Sequence, residues 1–105
     1  MYLRETRYNG LPPERIDSTV EAIQEQLPVV TDRPGFRDAY VIVDRDAGRV
    51  SCLTLWRSED AMRNSEAIAA DGLARAVKKG TGDWRERPLV ERYQVVDYRV
   101  PSNVA

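Results

Sequence analysis

The sequence predicts an α+β domain with the element order β-α-β-β-α-β, the ferredoxin-like split βαβ arrangement, and three observations lead there. Four short runs of residues tolerated in extended structure are separated by turn signals. Two segments place apolar residues at helical spacing. Between the middle two runs lies a loop short enough to permit only a hairpin. With 105 residues and no linker, repeat or low-complexity tract, the chain is expected to form one domain spanning 1–105.

Taken in order, Tyr2 to Tyr8 reads as the first strand, stopped by the turn pair Asn9-Gly10. Pro12-Pro13 then opens a helix, since proline is at home in a first turn. Ile16, Val20, Ile23 and Leu27 form its apolar stripe, and at Pro28 the helix is not expected to continue for long. After Pro34-Gly35, the run from Phe36 to Val43 is the second strand. The turn Asp44 to Gly48 leads into the third, Val50 to Trp56. Ser58 is suited to cap the second helix, with Glu59 and Asp60 in its first turn. Met62, Ser65, Ile68, Ala69, Leu73, Ala76 and Val77 supply a stripe of small and apolar residues, and Lys78-Lys79 suit its C-terminal end. Leu89 to Val100 is the last strand, stopped by Pro101.

Two helices cover one face of a four-stranded antiparallel sheet. Yet Ala39 to Val43 is apolar on both faces, and Leu53 and Leu55 point opposite to Cys52 and Trp56. The second face therefore needs a partner, most simply the same face of a second copy. A homodimer through the sheet is expected, with Leu53 and Leu55 in or near the interface.

Composition excludes more chemistry than it suggests. The chain has no histidine, which removes the usual general base at neutral pH, the Ser-His and Cys-His nucleophile pairs and histidine-ligated haem. One cysteine, Cys52, permits no internal disulfide and fits a reducing, cytoplasmic setting. No metal site, no cofactor and no dinucleotide loop is expected. The net charge of −1 gives no reason to expect nucleic acid. No run approaches the roughly 18 apolar residues of a membrane-spanning helix, and the charged start Met1 to Arg7 is no signal peptide. Arginine outnumbers lysine 14 to 2, and each guanidinium offers a planar fork for anions or aromatic faces.

The segment from Pro34-Gly35-Phe36 to Trp56-Arg57-Ser58-Glu59-Asp60-Ala61 resembles the antibiotic biosynthesis monooxygenase superfamily. Its members share a Gly-Phe opening one strand, a hairpin, and a Trp-x-Ser-x-x-Ala run opening the next helix. The resemblance implies a dimeric α+β barrel. Haem-degrading members carry an iron-binding histidine late in the second helix and a tryptophan near its start. Here Arg75 and Ser65 fall at those places, and arginine has no lone pair to offer iron. Cofactor-free members oxidise electron-rich phenols or quinols, the substrate itself supplying electrons to oxygen. In that comparison Trp56 matches the tryptophan that lines their pocket, their asparagine falls on Cys52, their pocket tyrosine on Met62, and their arginine on Ala76 beside Arg75.

A site of that kind needs an apolar slot for a ring and a cation for a phenolate. Trp56, Met62 and Cys52, with Tyr40 or Phe36 according to hairpin register, are the candidate walls of a slot between Trp56 and the second helix. Arg75 is the candidate catalytic cation, with Arg37 second. Against this, a buried tryptophan also serves simply to anchor helix to sheet, and a mid-strand cysteine as a small apolar residue. The expected function is a cofactor-independent monooxygenase of a small aromatic or quinol-type substrate. The alternative is a non-catalytic small-molecule-binding or stress-related domain of the same fold.

Overall fold

A computed structural model of the chain describes residues 1–70 and 88–101. The elements are β1 (Tyr2–Tyr8), α1 (Pro13–Thr31), β2 (Phe36–Asp44), β3 (Arg49–Trp56), α2 (Glu59–Asn64) and β4 (Leu89–Gln94). The strands form one antiparallel sheet in the order β2-β3-β1-β4, which is the ferredoxin-like α+β arrangement.

Local chemistry sets most boundaries. Pro13 opens α1, where a missing N–H costs nothing. Helix α1 does not run long past Pro28, ending after Val29, Val30 and Thr31. So near the helix end Pro28 removes one hydrogen bond, while its own carbonyl still accepts from Asp32 N at 3.2 Å. Tertiary packing then holds the last turn, because Val30 is buried against Trp56 and Met62. Ser58 caps α2 by accepting from Ala61 N at 3.1 Å. The regular helix breaks at Ser65, and helical backbone resumes over 66–70. The expected stripe positions Leu73, Ala76 and Val77 lie outside the described residues. β4 is shorter than expected, ending at Gln94 rather than Val100.

Register divides the side chains between two faces. Arg4, Thr6 and Tyr8 of β1 lie level with Thr54, Cys52 and Val50 of β3, facing the helices. Two clusters pack on that face. One gathers Tyr8, Leu11, Ile16, Ala22, Ile23 and Val50. The other gathers Val30, Trp56 and Met62, with Phe36 meeting the Trp56 ring edge-on at 5.7 Å between centroids.

The other face is laid out in rows across the four strands. Asp38, Leu55, Leu3 and Tyr93 form one, Tyr40, Leu53, Glu5 and Glu91 the next, and Ile42, Ser51, Arg7 and Leu89 the third. Tyr40, Ile42, Leu89 and Tyr93 stand exposed there. A bidentate pair from Arg7 Nε and Nη2 to Glu5, at 3.1 and 2.9 Å, sits among them. Beyond β4 the chain leaves the edge: Val95 N donates to Met1 O, and Tyr98 OH donates to Asp38 on the opposite edge strand at 2.7 Å. Residues 95–98 therefore cross this face at the Leu3–Leu55 row. Leu55, on the face away from the helices as expected, is accordingly only 4% exposed, while Leu53 stays partly accessible.

Candidate functional site: a cleft walled by a buried arginine

Between the two clusters the sheet presents Thr6, Cys52 and Thr54, side chains too short to reach the helix above. A cleft opens there. Ile23, Leu27 and Val30 of α1 form its apolar wall, and Arg4 and Ala69 close the other side.

Among the described residues Arg4 is the charged group of this cleft, and it is only 5% exposed. Alternation along β1 turns it toward the helices, in register with Thr54 and Arg92. The break in α2 then supplies its partners. Where the helix stops, the Met62 carbonyl accepts from Ser65 N at 3.3 Å in a tightened last turn, and Arg4 Nη1 donates to it at 3.2 Å. The same Nη1 donates to Ser65 Oγ at 2.9 Å, and Ser65 Oγ donates to the Met62 carbonyl at 2.7 Å. The guanidinium lies 5.6 Å from the Trp56 ring centroid, a cation–π contact. Both of its hydrogen bonds to described residues use Nη1, so the remaining donors of the fork are left to face the cleft or its surroundings.

Burial sets the protonation states. It lowers the Arg4 pKa, an effect opposed by nearby Glu66 and Cys52, and a guanidinium remains a cation at any physiological pH. Burial pushes the Cys52 thiol up to about 11, with Arg4 pulling the other way. The Tyr8 phenol is raised as well, again by burial. Thus the described titratable groups of this cleft all stand protonated at pH 7: one cation and two neutral donors. Beyond Arg4 and Ala69, on the β4 side, a further recess is bounded by Glu66 and Arg92, which are paired with each other.

The candidates drawn from the sequence separate in space. Cys52 lies on the cleft floor. Trp56 is fully buried, its Nε1 donating to Thr54 Oγ1 at 2.9 Å, and it supports the cleft from behind Arg4 rather than lining it. Met62, 1% exposed, packs beside it and offers the cleft its carbonyl partner to Arg4, not its side chain. Tyr40 is corrected outright: hairpin register puts it on the opposite face, 56% exposed, and Phe36 is the ring that joins Trp56. Arg37 is exposed at a register shift in β2 and stacks 5.8 Å from the Tyr98 ring, away from the cleft. Arg75 lies outside the described residues. Arg4 went unseen in the sequence because the two faces of β1, Arg4-Thr6-Tyr8 and Leu3-Glu5-Arg7, are equally mixed in polarity. The pattern alone does not say which trio faces in.

No protein-family model matches the chain, and no curated protein matches it. Solved structures do. A monooxygenase of Streptomyces coelicolor, solved with the ligand nanaomycin D, is 18% identical with a TM-score of 0.76, over 96% of this chain and 92% of that one. This is the fold of the antibiotic biosynthesis monooxygenases. A further antibiotic biosynthesis monooxygenase is 18% identical with a TM-score of 0.66, over 92% of this chain and all of that one (100%). A dimeric ferredoxin-like protein from an uncultured marine organism is 10% identical with a TM-score of 0.71, over 95% of this chain and 98% of that one. At such identities the antibiotic biosynthesis monooxygenase likeness is one of fold, and the chemistry is a question for the cleft.

Proposed function

We propose that the chain is a cofactor-independent monooxygenase of a small phenol or quinol, held in the cleft with its oxygen against Arg4. The observation that carries this reading is a buried, permanently charged guanidinium in the wall of an otherwise mostly apolar cleft. A ring fits against Ile23, Leu27 and Val30, and Arg4 stabilises the phenolate that must form before electrons can pass to oxygen. For a phenol with a free para position the balance is phenol plus dioxygen to quinone plus water. One oxygen atom enters the ring, the other leaves as water, and the ring supplies four electrons. The nanaomycin-bound relative supports an aromatic ligand for this fold.

A second reading, a binding domain without turnover, is favoured by one observation: the described titratable groups lining the cleft are all protonated at pH 7, so none of them accepts the phenol's proton. Under the oxygenase reading that proton goes to solvent, which makes turnover of the wild type rise with pH until the bound phenol is ionised.

The test is oxygen uptake with a panel of quinols, alongside ligand binding. Arg4→Gln is expected to lower kcat/KM by about a hundredfold, which is close to 2.7 kcal/mol of lost charge stabilisation, while Arg4→Lys keeps part of it. Binding without oxygen consumption by the wild type supports the binding reading, and absence of both defeats both.

We also propose that the chain pairs through the exposed rows of its open sheet face, as the dimeric relative of the same fold suggests.

A further inference from the structure

A separate recess lies between the turn joining α1 to β2 and the turn joining β3 to α2. Arg33 and Arg57 line it, together with Ser58, Asn64 and Asp60. The two turns are fastened by Arg57 N donating to Gly35 O at 2.8 Å, and Arg33 is anchored at its backbone by N donating to Val30 O at 3.1 Å. Gly35 brings the turns together: it has φ +84°, and a Cβ there would stand 2.5 Å from Ala61 Cβ.

The Arg33 side chain carries the anomaly. Its Nε is buried and makes no hydrogen bond. A buried donor on a charged group is costly to leave unmatched, and native structures leave few such atoms. The Arg33–Glu or Arg33–Asp pair that would ordinarily explain a half-buried guanidinium is absent among the described residues. Ser58 Oγ, which also borders the recess, already accepts from Ala61 N.

We propose that this recess binds one oxyanionic group, a phosphate or a carboxylate, between the guanidinium groups of Arg33 and Arg57. A guanidinium fork matches such oxygens in plane, and an Arg33 side chain with no carboxylate partner among the described residues is open to one. Asp60 on the wall limits the positive field, which suits a single anionic group and disfavours a polyanion such as nucleic acid. The recess is independent of the Arg4 cleft. Ser65 stands between them with its hydroxyl committed to Arg4 and the Met62 carbonyl.

The test follows the Arg33 Nε–Hε resonance by NMR in ¹⁵N-labelled full chain, identified by its loss in Arg33→Gln. Sodium phosphate and sodium acetate are titrated separately at constant ionic strength, with sodium chloride as the balance. The expected result is a saturable shift with at least one of the two oxyanions, and the anion that saturates first tells phosphate from carboxylate recognition. Arg57→Gln, on an exposed turn, is expected to weaken it about tenfold. Arg45→Gln, in the turn between β2 and β3 where Arg45 pairs with Asp17, is expected to leave it unchanged. If neither oxyanion gives a saturable shift, the proposal fails. Equal weakening by Arg57→Gln and Arg45→Gln also overturns it, since that marks general charge screening.

Discussion

Cys52 and Arg4 show how burial alone chooses chemistry for individual side chains. A thiol at about 11 is almost wholly protonated at pH 8, so Cys52 is not a nucleophile, and the missing histidine leaves nothing to activate it. Iodoacetamide at pH 8 is expected to alkylate native Cys52 roughly a hundredfold more slowly than the same thiol in denatured protein. An equal rate in the two states contradicts the assignment. Linkage gives the companion result. The unfolded thiol ionises from about 9 and the folded one from about 11. The stability owed to a neutral thiol is therefore complete below pH 9 and lost as pH rises toward 11. Cys52→Ala should flatten the fall in Tm across that window. Arg4 takes the opposite course: burial disfavours its charge, yet a guanidinium keeps it and is paid through Met62, Ser65 and the Trp56 face. Trp56 itself is a support, and Trp56→Ala is expected to cost about 3–5 kcal/mol, measurable by urea denaturation, before any effect on ligand can be read.

Among the elements, α2 is decisive because it fails to be a regular helix. Its break at Ser65 presents the Met62 carbonyl and the Ser65 hydroxyl to Arg4, so an irregularity in one element positions the charge presented by another. Ser65→Ala removes one acceptor from Arg4 and leaves the other. The expected outcome is a loss of about 1 kcal/mol in stability and a partial loss of any Arg4-dependent binding, read by calorimetry and titration side by side. The turn ahead of β2 is equally constrained. Gly35→Ala must hold a left-handed φ and push Ala61 aside, at a cost of about 2–4 kcal/mol. A Tm unchanged by Gly35→Ala shows that the turn and α2 are less closely packed than described. Pro28 illustrates the limit of local rules: proline is tolerated in a last turn whose Val30 is fixed by Trp56 and Met62.

For the whole molecule, the open face of the sheet is the unfinished part. Its exposed Tyr40, Ile42, Leu89 and Tyr93 surround the Glu5–Arg7 pair, while residues 95–98 already cover Leu55. Pairing through the remaining rows makes Leu53→Glu a direct probe, because a carboxylate is placed level with Glu5 and Tyr40. Sedimentation at micromolar concentration is expected to show a dimer for the wild type and a monomer for Leu53→Glu, with some fall in Tm from the like charge opposite Glu5. A wild type that sediments as a monomer removes the argument from this face.

The sequence by itself determined the order of elements, the hairpin, the cap at Ser58 and the exclusion of histidine chemistry, because each depends on a few neighbouring residues. It also marked Cys52 and Trp56 as facing the helices, since alternation within one strand needs no partner to be read. Tertiary structure alone decided the site. Phe36 and Tyr40, which share a face in a regular strand, are sent to opposite faces by a register shift between Phe36 and Asp38. Arg4 became the cleft's cation through pairing with a strand some fifty residues away, which brings it level with Thr54. Register, burial and the depth of a cleft are properties of segments brought together, and a strand whose two faces carry equally mixed polarity does not announce which of them will be buried.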